Sequence, residues 1–193
     1  MQTPEPTTAR KRGRPTAAER AERRDEILDA AVEEFGRQGY AATTVDQIAA
    51  TCQVTKRTIY TFFGDKTGVF AAAVGRLHDR VAAADEPDGV PADLPTLATR
   101  ITMVLHSAEA VGLHRLVVAE ANRFPELAAA FYASGPERYI GMLGDHVGAR
   151  TAPALFSLLL GEPHRKRLLG MLGPATGPEA RAQAQTALAQ LHL

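Results

Sequence analysis

Apolar residues return every three or four positions in segment after segment of this chain, the spacing of helices that bury one stripe. Ile27, Ala31 and Phe35, joined by Leu28 and Val32, form such a stripe behind Thr16-Ala17-Ala18-Glu19, a capping box that predicts the start of a long first helix. Gly39 is its expected stop. Val45, Ile48, Ala49 and Cys52 mark a short second helix, with Thr44 at the N-cap and Gln47 three residues on. Gln53-Val54 breaks the pattern. Thr55 can then cap a third helix that carries Ile59, Phe62 and Phe63 inward. Gly64 ends it, and Asp65 caps a fourth running to about residue 84, on the order of 30 Å long.

Residues 85–93, with two prolines, a glycine and four acids, predict a loop. A helix is expected over 94–111 with Leu97, Ile101, Val104 and Leu105 inward, interrupted at Gly112 and followed by another over 113–124. Pro125 opens a longer one, kinked at Gly135-Pro136, that carries Leu127, Phe131, Tyr132, Ile140, Met142 and Leu143. Residues 152–160 are apolar almost all round and need cover on two sides. The last helix, over 179–191, lines up Ala180, Ala184, Ala187, Leu188 and Leu191 on one face. One core cannot cover both, so these two helices are expected to pair with their two-fold mates, with Leu155, Leu159, Ala184 and Leu188 in the interface. Residues 161–178, with four glycines and three prolines, specify no element.

The expected fold is therefore all-α. A flexible basic arm (1–15) leads into a three-helix domain with a helix-turn-helix (16–64), and a helical regulatory and dimerisation domain (65–193) follows. With 193 residues, 45% of them hydrophobic, the chain is long enough for this. Formal net charge is zero, so no global field attracts nucleic acid. The distribution is uneven, however: residues 10–24 hold seven basic side chains against Glu19 and Glu22. One cysteine excludes an internal disulfide and fits a reducing cytoplasm, the expected location. No apolar run reaches the ~18 residues of a membrane span, so no membrane partner is expected.

That distribution points to double-stranded DNA. Two short helices, a tight turn and a basic, hydroxyl-bearing outer face describe a reader whose second helix enters the major groove. Arg57 and Thr61 point away from the apolar side, Thr58 and Tyr60 flank them, and Lys56 stands at the rim. Base contacts are expected from Lys56, Arg57, Thr58 and Thr61, and phosphate contacts from Thr44, Tyr60 and Lys66, the last at the positive end of the fourth helix. Arg10, Lys11, Arg12 and Arg14 can lie along a minor groove as an extended arm. Asp25, Glu26, Asp29, Glu33 and Glu34 are expected mostly to face solvent, away from phosphate.

Residues 17–70 resemble the DNA-binding signature of the TetR/AcrR transcriptional regulators. The likeness lies in the T-I-Y-x-x-F core (Thr58, Ile59, Tyr60, Phe63) and in Lys66 after it. Two positions depart from that pattern: Gln53 stands where the family usually has glycine, and Phe62 where it has His or Tyr, which removes one phosphate contact. The string E-A-N-R-F-P-E-L-A-A-A-F-Y (120–132) is similar to the regulatory domain of the AefR-like subgroup. The resemblance implies a homodimeric repressor released from a palindromic operator by a small-molecule effector. His106, Asn122 and Tyr139, polar residues among apolar neighbours, are its candidate contacts. The alternative is a ligand-independent DNA-binding or architectural dimer; a cavity of a few hundred Å³ among the central helices separates the two.

Other chemistry finds little support. His106 and Glu109 share a helical face, but no second pair accompanies them, so no metal is expected. Cys52 lies on an apolar stripe, no Ser sits in a G-x-S-x-G turn, and no glycine-rich phosphate loop is present. Neither an enzyme nor a cofactor is expected.

Overall fold

In the computed structural model, which describes residues 16–82 and 92–193, the chain forms ten helices and no strand among the described residues. The basic arm (10–14) and most of the 85–93 loop lie outside them. The Thr16 capping box starts α1 (Ala17–Ala42), whose regular part ends at Gly39 with φ of 81°. A second capping box at Thr44 starts α2 (Val45–Thr51). Thr55 accepts from the Thr58 N–H and caps α3 (Lys56–Phe63). Gly64, with φ of 80°, turns the chain into α4 (Lys66–Ala82). The turn is tight: a Cβ at Gly68 would lie 1.9 Å from the Phe63 carbonyl oxygen.

The next break falls six residues before Gly112. Ser107, accepting from the Ala110 N–H, separates α5 (Leu94–Leu105) from α6 (Ala108–Glu120), and the two bend by 62°. A cap that satisfies a free N–H decides the boundary, whereas a lone exposed glycine costs a helix only about 1 kcal/mol. The expected kinked helix is two, α7 (Pro125–Ser134) and α8 (Pro136–Val147), separated at Gly135. There a Cβ would approach Val74 to 3.0 Å. The region without an expected element proves largely helical. α9 runs Ala152–Leu168 through a break at Gly161, and the Gln183 amide donates to the Leu158 carbonyl beside that break (2.7 Å). A third capping box, at Thr176, starts α10 (Gly177–Gln190).

Two apolar clusters hold these helices. The first gathers Ile27, Phe35, Ile48, Ile59 and Phe70 of α1–α4 together with Leu113, Val117 and Leu127 of α6 and α7. The 64/65 boundary is therefore not a gap in packing. The second joins Val81, Ile101, Leu143, Leu155, Leu159 and Leu188 of α4, α5, α8, α9 and α10.

This second cluster corrects the expected dimer interface. Leu155 and Leu159 have no exposed surface, and Ala184 and Leu188 retain 1% and 6%, all within one chain. α5 and α8 supply the cover that a partner was expected to give. Glu34 is a second correction. It is buried, accepting from Arg37 (2.5 Å), Thr51 (2.9 Å) and Gln38 (3.1 Å), and it ties α1 to the end of α2. The Arg37 and Thr51 bonds hold its carboxyl below the usual carboxylate range.

No single helix among the described residues is long and apolar enough to cross a membrane.

Candidate nucleic-acid interface and central cavity

The turn between α2 and α3 is built by its hydrogen bonds. The Val54 N–H donates to the Ala49 carbonyl (2.9 Å) and the Gln53 N–H to that of Ala50 (3.2 Å), the paired bonds of a Schellman close. That close requires a left-handed residue, and Gln53 occupies it with φ of 53°. α3 is thereby held with Ile59 fully buried and its opposite face outward. Lys56, Arg57, Tyr60 and Thr61 are exposed, and Thr58 is half-buried.

Each outward group keeps some bonding capacity. The Arg57 side chain has no hydrogen-bond partner or ion pair among the described residues. The Thr61 hydroxyl donates to the Arg57 carbonyl (2.8 Å) and can still accept. Lys56 lies 3.3 Å from Asp46, an exposed pair of the kind that contributes about 1 kcal/mol or less and yields readily to phosphate. Tyr60 leaves half its surface in water. The Thr44 hydroxyl is engaged in its capping box with Gln47 (2.9 Å) but remains exposed.

Lys66 belongs elsewhere, and its expected phosphate contact is corrected. Its ammonium donates to the Tyr40 (2.7 Å) and Thr43 (2.9 Å) carbonyls and sits 4.1 Å from the centre of the Tyr40 ring. Burial pushes its pKa below the ordinary lysine value. The positive end of α4 thus closes the carbonyls that the bend at Gly39 leaves free. Cationic cover of α3 comes instead from α1, where Arg20 and Arg24 lie over the Phe62 and Phe63 rings at 5.9 and 5.7 Å. Their i, i+4 spacing in the basic run was the available signal.

A further contact joins this head to the rest. The Glu120 carboxylate, on the last residue of α6, accepts from the Ala41 N–H (3.3 Å). Phe124 packs edge-on against Tyr40 with centroids 5.2 Å apart.

Six residues back along α6, His114 lines a cavity of about 230 Å³ walled by residues of α4 to α9. Its walls are aromatic and aliphatic. His114 lies against Phe131 (5.2 Å) and Tyr139 lies nearly parallel to Phe156 (6.3 Å, 14°). Of the expected ligand contacts, Tyr139 lines this cavity. His106 is buried beside it, 5.4 Å from the His164 ring, and faces a smaller space of about 150 Å³ next to Arg167. Asn122 is exposed in the turn after α6, outside the cavity. Helix boundaries place both residues: α5 ends six residues before its expected limit, which leaves His106 in the turn, and α6 ends four before its own, which leaves Asn122 outside.

His114 Nδ1 and His164 Nε2 share a hydrogen bond of 3.0 Å. Desolvation holds His164 and His106 to a pKa of about 4 and lowers His114 as well, so the rings are neutral at neutral pH. No three His, Cys, Asp or Glu side chains among the described residues converge as metal ligands do. Glu109, once weighed as a ligand, instead accepts from Arg76 (3.1 Å) and Arg80 (2.6 Å).

The pattern of bacterial regulatory proteins of the tetR family matches residues 27–73, and that of the AefR-like transcriptional repressor C-terminal domain matches residues 92–190. Over 106 residues the chain is 30% identical to the HTH-type transcriptional regulator SrpR of Pseudomonas putida, a match covering 54% of this chain and 50% of that one. The chain thus spans about half the length of that relative. Among solved structures it is similar to the flavonoid-responsive regulator FrrA, with 26% identity and a TM-score of 0.61 over 88% of this chain and 95% of that one. It is also similar to the multidrug binding protein EbrR complexed with imidazole, with 25% identity and a TM-score of 0.56 over 86% and 94%.

Proposed function

Because the chain belongs to the TetR family of bacterial regulatory proteins, we propose that it is a homodimeric transcriptional repressor that leaves an inverted-repeat operator when a small molecule enters its central cavity. The observation that carries this reading is the pairing of an exposed, cationic α3 face with an apolar cavity of about 230 Å³ in one chain. A passive architectural dimer would have no use for the second. The reading contains no catalytic step, and the protein acts in the cytoplasm, where the DNA is.

In the major groove Arg57 reads a base edge, with Lys56, Thr58 and Thr61 beside it, while Tyr60 and Thr44 meet phosphates. The arm residues Arg10, Lys11, Arg12 and Arg14 add minor-groove contacts. Dimerisation uses the outward sides of α9 and α10, since their inward sides are the core. Ala154 and Ser157 on α9 and Ala182 and Ala189 on α10 are exposed, small and uncharged, which suits close helix approach.

Control runs through α6. The helix carries His114 at the cavity and Glu120 at the Ala41 N–H, about 9 Å apart along its axis. α4 runs beside it, from Val74 and Leu77 at the cavity to Lys66 beneath the same bend of α1. A ligand that shifts either helix moves the support of α2 and α3. Emptying an operator this way takes on the order of 5 kcal/mol of differential affinity summed over both subunits. That FrrA responds to flavonoids and EbrR holds imidazole fits an aromatic effector.

The test is selection from random duplex DNA. The expected product is an inverted repeat with half-site centres about one helical turn apart or slightly more. Recovery of no enriched sequence, or of a single unrepeated site, contradicts the reading.

A further inference from the structure

The cavity restricts what it can hold more tightly than its volume does. Tyr139 is 2% exposed, and its hydroxyl, on a residue that lines the cavity, has no hydrogen-bond partner. A buried hydroxyl in that state is destabilising, and an occupant with a hydrogen-bonding group would recover the loss. His164, which also lines the cavity, likewise has its Nδ1 without a partner.

The two histidines form a coupled unit. One proton lies in the His114 Nδ1–His164 Nε2 bond. If His114 donates it, His164 carries its own single proton on Nδ1 and His114 Nε2 is a bare acceptor. If His164 donates it, those roles reverse. The pair therefore offers one donor and one acceptor whichever way it points.

Charge is missing. Apart from these histidines, which desolvation keeps neutral, no acidic or basic residue lines the cavity. A carboxylate or ammonium group would be buried there without a counter-charge, at far greater cost than a neutral polar group. Shape and size narrow the class further. The walls include two ring pairs inclined by 31° and 14°, which suits a flat occupant. An apolar cavity of about 150 Å³ accepts benzene, so about 230 Å³ gives room for two rings. Tyr132, 56% exposed, stands at the rim and leaves a way in.

We infer that the effector is an uncharged, flat, two-ring aromatic compound bearing a hydroxyl group, which bonds to Tyr139. This rests on the ligand-responsive reading above and adds its chemistry.

Calorimetric titration of the full chain at neutral pH with naphthol, naphthalene, naphthoate and naphthylmethylammonium tests it. The two rings are common to all four, and only the polar group and its charge differ. Naphthol should bind most tightly, naphthalene about tenfold more weakly, and the two ions at least about a hundredfold more weakly than naphthol. Tyr139→Phe, which keeps the ring and its packing, should bring naphthol down to the level of naphthalene. Tightest binding by either ion, equal binding of naphthol and naphthalene, or no binding by any of the four overturns the proposal. So does a naphthol preference that survives in Tyr139→Phe.

Gel shifts on the selected operator with the same compounds separate this from the wider reading. Naphthol binding in the expected order without release of DNA keeps the cavity chemistry and removes the ligand-responsive repressor. Release by naphthoate ahead of naphthol does the reverse.

Discussion

The side chain of Arg57 on the outer face of α3 and the hydroxyl of Tyr139 in the central cavity both lack a partner among the described residues, yet water reaches one and not the other. Arg57 rests at no cost, because water solvates it until phosphate or a base edge replaces that water. Tyr139 carries a standing penalty that only an occupant removes. The first site can be highly charged and selects charged partners. The second excludes charge and selects neutral ones. Lys66 shows how misleading residue type alone can be. Only ten residues from Lys56, it has the same ammonium group, yet it is turned into the fold as a structural cap.

Moving charge between the two environments is the most severe way to break this comparison. Leu159→Arg places an unpaired charge in the fully buried second cluster and should cost about 4 kcal/mol or more, giving protein without a cooperative thermal transition. Ala182→Arg, on the exposed side of α10, should leave the fold intact and yield monomers by light scattering. A folded monomer from Leu159→Arg would return that residue to the interface.

Lys66→Met should lower stability by about 1.5–3 kcal/mol, because two carbonyls lose a charged donor. The slope of DNA affinity against salt should stay unchanged. A slope reduced by roughly 0.9 would make Lys66 a phosphate contact after all. Arg57→Ala should do the opposite. It should leave Tm unchanged and cost about 1–3 kcal/mol of specific binding at one base pair per half-site.

Acid probes the dry region directly. In the unfolded chain His106 and His164 take up protons near 6.5, whereas burial holds them to about 4 in the fold. Between those values the unfolded state binds more protons, so their contribution is complete above about pH 6.5 and falls as pH drops toward about 4. At about pH 5 the loss is on the order of 2 kcal/mol for each ring and about 4 kcal/mol for the two, or roughly 10 °C in Tm. The capping boxes hold the Glu19 and Glu179 carboxyls below the usual carboxylate range, so both stay mostly ionised down to about pH 5. An unchanged Tm between about pH 7 and about pH 5 contradicts the buried, neutral rings.

The smallest effect is Gln53→Gly, which should stabilise the protein by about 1 kcal/mol or less by relieving a left-handed residue, with DNA affinity preserved.

The head was the more legible region, because local signals decide it. Thr16, Thr44 and Thr55 cap where their spacing says, and Ile59 against Arg57 and Thr61 follows from helical periodicity alone. The body depends on contacts distant in sequence. That Leu155 and Leu188 are apolar is plain; that α5 and α8 cover them, leaving nothing for a partner, is a matter of tertiary arrangement. Ser107 is a readable cap that outweighs Gly112 as the boundary, and it moves His106 into the turn between α5 and α6. The Glu120–Ala41 contact, joining residues 79 positions apart, has no signature in the sequence.

The central claim is that the two regions are energetically coupled, and thermodynamic linkage tests it most directly. Naphthol is titrated into the protein alone and into the protein saturated with its selected operator. The account predicts that operator weakens naphthol binding at least about tenfold, and that saturating naphthol weakens operator binding by the same factor. Equal naphthol affinities in the two titrations would contradict it, leaving a DNA reader and a cavity that do not communicate.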